Sequence, residues 1–176
     1  EVFFDPQDRH VMTLLAHEDH LYAGTSGKGR IYEIDDAGMG RLLFEAAQEE
    51  IHDLVADAQG RLFASAIPAK EQGEKQAKIP AAVYRIEKGG AVYPIWESPE
   101  AKLVNLTAAG GRLALGVSDP ARLLYLDAEG QRALAVQFED FAPNRLALGP
   151  DGTLYLGATQ KAALATLPGT SRNKGH

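Results

Sequence analysis

Residues 143–157 read Pro143-Asn144-Arg145-Leu146-Ala147-Leu148-Gly149-Pro150-Asp151-Gly152-Thr153-Leu154-Tyr155-Leu156-Gly157. Two short apolar runs flank a Gly-Pro-Asp-Gly reversal. Glycine supplies the positive φ that a tight turn needs, so the stretch reads as a β-hairpin. Its second half has three echoes upstream: Leu21-Tyr22-Ala23-Gly24, Leu62-Phe63-Ala64-Ser65 and Leu113-Ala114-Leu115-Gly116. The four copies begin 41, 51 and 41 residues apart. The longer middle interval is explained by one polar insertion, Lys70 to Pro80 (KEQGEKQAKIP), so a single period near 40 residues governs the chain. Turn residues precede the copies at Ala58-Gln59-Gly60-Arg61 and Ala109-Gly110-Gly111-Arg112, while His17-Glu18-Asp19-His20 holds the same place without glycine.

Each unit resolves into short strands rich in Val, Leu, Ile, Tyr and Phe, bounded by turn residues. The units span about 7–46, 51–98, 101–140 and 142–168, and residues 169–176 read as a disordered tail. No stretch of the length a helix needs keeps an apolar face at helical spacing without a Gly, a Pro or a strand-like run. The first three units hold four strands each, but the fourth lacks an outermost one. The opening Glu1-Val2-Phe3-Phe4-Asp5-Pro6 resembles the outer strands Leu42-Leu43-Phe44-Glu45 and Pro94-Ile95-Trp96-Glu97. The expectation is an all-β ring of four four-stranded blades in which residues 1–6 complete the last blade and hide its edge. Either the four units close on themselves, or they form half of a larger ring that two copies complete head to tail.

Composition narrows the partners. The chain has 176 residues, with 18 Lys and Arg against 24 Asp and Glu, and its net charge of -6 repels a phosphate backbone. No nucleic-acid partner is expected. No apolar run approaches membrane-spanning length, so no membrane partner is expected either. The absence of cysteine removes disulfides, thiolate metal sites and cysteine nucleophiles.

The 143–157 stretch resembles the inner-strand, turn, second-strand signature of bacterial β-propeller repeat proteins. Leu21 to Asp35 resembles their second-to-third-strand hairpin. The resemblance covers residues 1 to about 168. It implies a propeller in the periplasm or outside the cell, acting as a binding or interaction scaffold for a protein or small ligand at one face. Fold alone does not fix activity. The Trp-Asp ending of WD-type repeats is missing, so Asp35 and Asp127 inherit no role from that family.

Pro143-Asn144 is also similar to the start of an inner strand in gluconolactonase-like propellers, where the Asn oxygen ligates a divalent cation. That similarity implies a calcium-like ion held by Asn144, Asn105 and Asp53, and a metal-dependent lactonase-like hydrolase as the alternative function. Arg145 stands where those proteins have glycine, and a hard cation wants several oxygen ligands with a carboxylate among them. The competing account has these side chains, with His52 and Arg145, lining a water-filled channel, and no cofactor.

Histidine serves as a metal ligand or a general base near neutral pH. Of His10, His17, His20 and His52, His17 and His20 flank Glu18-Asp19 in a turn, and only His52 has a carboxylate, Asp53, beside it within an inner strand. Adjacent strand residues point to opposite faces, so the two share a ligand only across a local irregularity. Gly24 to Gly29 is glycine-rich but lacks phosphate-loop spacing, and Ser26, Ser65 and Ser118 lie in no nucleophile elbow. The recurring aromatics Tyr22, Phe63 and Tyr155 read as packing between sheets. The insertion, with Lys70, Glu71, Glu74, Lys75 and Lys78, is the expected recognition loop.

Overall fold

The computed structural model describes residues 2–68, 79–158 and 164–167. Every regular element among them is a strand. The first unit holds β1 (His10–His17), β2 (His20–Ser26), β3 (Arg30–Ile34) and β4 (Gly40–Glu45). The second holds β5 (Glu50–Ala56), β6 (Leu62–Ile67), β7 (Ala81–Ile86) and β8 (Val92–Ser98). Then come β9 (Val104–Ala109), β10 (Arg112–Val117), β11 (Arg122–Leu126) and β12 (Arg132–Gln137), and finally β13 (Pro143–Leu148), β14 (Leu154–Ala158) and β15 (Leu164–Leu167). Each unit is an antiparallel meander, and a Ser26 to Glu50 bridge merges the first two into one curled sheet.

The repeat extends to its irregularities. In the first three units a β-bulge interrupts the pairing of the third and outer strands, leaving Leu43, Ile95 and Ala135 without an opposite residue. A bulge adds twist to the strand that carries it, so the same device curls each sheet in the same way. The turns are equally uniform. The Asp35 Oδ1 accepts the backbone N–H groups of Ala37 and Met39, Asp57 those of Gln59 and Arg61, and Asp127 those of Glu129 and Gln131. Gly38, Gly60 and Gly130 take the positive φ inside these turns. Asp35 and Asp127 therefore do have a structural role: they are side-chain anchors of turns.

Burial follows from strand alternation. Tyr22, Ile31 and Phe44 of the first unit meet Leu54, Ala64 and Tyr84 of the second. Phe63, Val83 and Trp96 on the far side of the second unit meet Leu106, Leu113 and Leu115 of the third. Ala114 and Leu123 then meet Leu154 and Leu156 of the fourth. Both faces of the second and third units are thereby covered. No apolar cluster among the described residues joins the fourth unit back to the first.

The opening hexapeptide does not do what its sequence predicts. Residues 2–8 form no strand, and β13, β14 and β15 make a three-stranded sheet among the described residues. Pro6 has no N–H to donate, and Asp5 Oδ1 captures the Gln7 N–H in a turn that puts Gln7 at φ 56°, which ends any extended run. The segment lies instead on the outer face of the first unit. Phe4 packs on Tyr32 with ring centroids 5.3 Å apart. The Asp8 carboxylate accepts the hydroxyls of Thr25 at 3.0 Å and Tyr32 at 3.1 Å, with Arg30 at 3.6 Å.

Candidate functional site

Backbone pairing sets the level of each inner-strand side chain. Opposite the small residue that ends each repeat motif stand Thr13 (facing Gly24), Asp53 (facing Ser65), Asn105 (facing Gly116) and Arg145 (facing Gly157). The expected cation site needs Asn144 level with Asp53 and Asn105. The register gives that level to Arg145. Asn144 is the unpaired residue of a bulge, as His52 and Met12 are in their own strands. A bulge of one residue is invisible to an ungapped alignment, and it re-aims every side chain beside it.

Asp53, Asn105 and Arg145 do come together. Arg145 Nη1 donates to Asn105 Oδ1 at 3.1 Å and to the Asn144 carbonyl at 3.4 Å. Asp53 Oδ2 accepts the Leu106 N–H at 3.0 Å and Oδ1 that of Leu54 at 3.0 Å, tying the second inner strand to the third. Burial pushes the Asp53 carboxyl above its ordinary range, opposed by those N–H donors and by the neighbouring His52 and Arg145 side chains. These residues do not fit a divalent cation: both oxygens of the one carboxylate are engaged by backbone, the Asn105 oxygen takes the guanidinium, and that guanidinium repels a second cation. Among the described residues no group of three or more His, Cys, Asp or Glu could hold a metal ion.

The larger opening lies at the other end of the bulges. A cleft of about 830 Å³ runs between the connections of the first three units, with Met12, Ile67, Pro68, Ala101 and Leu103 among its apolar walls. That volume suits a drug-sized molecule. His52 lines it, and here the local irregularity serves a partner other than Asp53. His52 Nδ1 lies 2.8 Å from Glu50 Oε1, while Nε2 is buried without a hydrogen-bond partner. Glu50 was not singled out from sequence. Residues two apart on a strand share a face, and that spacing was the signal available. The carboxylate fixes the orientation of the ring through Nδ1. Both cations on the walls are already engaged, Arg9 with Glu49 at 3.0 Å and Lys102 with Asp119 at 3.1 Å.

Ser26 is buried on the cleft wall, and Ser65 is fully enclosed between sheets, in the place glycine takes elsewhere. Tyr22 and Phe63 are buried between units, as packing residues should be. The expected recognition residues Lys70, Glu71, Glu74, Lys75 and Lys78 lie outside the described residues, although Pro68 and Ile79, which flank that segment, both line the cleft.

No family model and no curated protein matches the chain. Solved structures do. It is similar to a streptogramin B lyase at 16% identity and TM-score 0.69, covering 93% of this chain and 56% of that one. It is similar to virginiamycin B lyase from Staphylococcus aureus at 12% identity and TM-score 0.68, covering 90% and 55%. A gluconolactonase from Xanthomonas campestris gives 14% identity and TM-score 0.60, covering 86% and 59%. At such identities the likeness is one of architecture: this chain has the all-β construction of six-bladed β-propellers and spans about half the length of the chains it matches.

Proposed function

We propose that this chain is the ligand-binding part of a β-propeller and that a small molecule seats in the cleft between its first three units. The observation that carries the reading is the cleft itself, about 830 Å³, where apolar side chains alternate with charged and polar ones and His52 is oriented by a carboxylate. It opens at the connections between units, where a rigid repeat scaffold can vary its loops without disturbing its sheets. The solved neighbours include lyases, a gluconolactonase and an auxiliary nutrient binding protein, beside a nidogen/laminin complex. A fragment screen followed by protein NMR is expected to place its strongest shifts at Met12, His52, Ile67 and Leu103. Shifts concentrated around the smaller cavity beside Phe63 and Arg112 would overturn the reading. Titration with calcium or manganese tests the hydrolase alternative, since an ion bound at Asn144, Asn105 and Asp53 raises the melting temperature.

We further propose that the four units are part of a larger ring, completed on the uncovered side of the fourth unit. Leu164 is 71% and Tyr155 37% exposed there, an apolar sheet face of the kind that propellers bury against the next blade. Two copies closing one ring predict a solution mass twice the 18.9 kDa of the chain. A strictly monomeric species at high concentration would remove the two-copy arrangement.

A further inference from the structure

Matching positions of the repeat meet at every junction between units. On the third strand of each unit, the residue opposite the small end of the motif faces the unit that follows: Ile31 opposite Gly24, Val83 opposite Ser65, Leu123 opposite Gly116 and Leu164 opposite Gly157. On the inner strands, Leu14, Leu54, Leu106 and Leu146 hold one register position and face the unit that precedes. Ile31 shares an apolar cluster with Leu54, Val83 with Leu106, and Leu123 with Leu146. Ile31, Val83 and Leu123 are wholly enclosed, whereas Leu164 is 71% exposed at one end of the chain and Leu14 60% exposed at the other. Each of these two is half of a contact that the molecule makes three times.

The opening segment extends the match. Phe44, on the outer strand of the first unit, packs on Tyr84 of the second with ring centroids 4.9 Å apart, and Gln48, four residues on, accepts the Tyr84 hydroxyl at 2.9 Å. Phe4 packs in the same way on Tyr32, which matches Tyr84 in register, and Asp8, four residues on, accepts the Tyr32 hydroxyl. The inner strands β5 and β1 begin six residues after Phe44 and Phe4. Residues 2–8 therefore occupy the place of the outer strand and connection of a preceding blade, with no sheet beside them to pair with. The fourth unit, three-stranded among the described residues, has the sheet and lacks that strand.

We propose that a second copy of the chain supplies what each end lacks. The fourth unit of one copy docks on the outer face of the first unit of the next, Leu164 against Leu14, and residues 2–5 of the second copy run beside β15 of the first as its outermost strand. This rests on the open side of the fourth unit being a blade junction and adds the surface that it meets. A head-to-tail contact closes into a ring or runs on as a filament according to its rotation. Two copies bring eight units, at the upper end of the range of about four to eight that propellers use. Association follows concentration, so a lone chain in dilute solution leaves both leucines in solvent.

The chain has no cysteine, so introduced thiols report one contact each. Leu14→Cys and Leu164→Cys, both at exposed positions, should cross-link when mixed under mild oxidation and not when either is incubated alone. The wild-type mass should rise with concentration from 18.9 kDa to twice that or to a series of multiples. Leu14→Asp and Leu164→Asp should each raise the concentration required about tenfold or more, and a mixture of the two should regain a dimer through the one junction that keeps both leucines. Amide exchange at residues 3–5 should slow as copies associate. Self-cross-linking of Leu164→Cys alone overturns the head-to-tail pairing while keeping the open side of the fourth unit as an interface. Cross-linking of the mixture without slower exchange at residues 3–5 overturns the donated strand. A wild type that stays monomeric, with no cross-link in the mixture, overturns this pairing and the two-copy ring together.

Discussion

Tyr22 and Tyr155 occupy the same place in the first and last repeats, yet one is 9% exposed and the other 37%. In every unit this position faces the following one. Tyr22 has the second unit to lean on, and the described residues place nothing beyond Tyr155. The opposite ends differ too. The outer face of the first unit carries Ala23, Tyr32 and Ile34 under Phe4, with Asp8 holding the cover down, whereas the outer face of the fourth leaves Leu164 in solvent. A sheet with an apolar face must bury it against something, and the same repeat meets that demand with a sheet, with an irregular segment, or not at all.

The contrast can be pressed hardest inside the fourth unit. Leu156, wholly enclosed against the third, should lose about 2–5 kcal/mol of stability as Leu156→Ala in a denaturant titration. Leu164→Ala on the other side should stay within about 0.5 kcal/mol. Equal losses would mean that the bare face is covered in solution.

The cover on the first unit is next. Asp8→Ala removes a charged acceptor from two buried hydroxyls, which are left with the Arg30 and Pro6 carbonyls at 3.3 Å, so a loss of about 1–3 kcal/mol is expected. A negligible loss would show that the opening segment does not hold its place.

The repeat glycines sharpen the comparison further. A Cβ at Gly24 would stand 2.6 Å from Ile51 Cγ2 and 2.7 Å from Thr13 Cγ2, so Gly24→Ala must push two units apart and should cost about 1–3 kcal/mol. At Gly157, the same repeat position, the nearest atoms are 3.7 Å and 3.8 Å away and belong to its own unit. Gly157→Ala should be neutral or slightly stabilising by thermal melting.

The smallest effect is alkaline. Burial, joined by the hydrogen bond the Tyr22 hydroxyl donates to Glu33 at 3.0 Å, pushes that phenol up to about 12. The folded state therefore holds its proton more tightly than the unfolded chain, so this contribution is complete below pH 10 and is lost as pH rises towards 12. In Tyr22→Phe the decline of stability over that interval should be shallower. An unchanged slope would mean the hydroxyl is not enclosed.

Much of this architecture was legible from four short motifs. A Leu, aromatic, small residue, Gly pattern at a fixed period already dictates strands, turns and faces, because alternation and turn chemistry act within a few residues. The candidate site was less legible. Asp53, Asn105, His52 and Arg145 all lie on inner strands, but the unpaired residues at Met12, His52 and Asn144 shifted the levels. Glu50 acquired its meaning only once His52 turned towards it.

Sequence alone determined the repeat and the strand character of the described residues, since both rest on local backbone preference. Only the tertiary structure decided where residues 2–8 lie, which nitrogen of His52 is left over, and which side of the fourth unit stays uncovered among the described residues. Those outcomes depend on competition between distant surfaces for one segment or one proton. A pattern along the chain records what each surface wants and not which of them prevails.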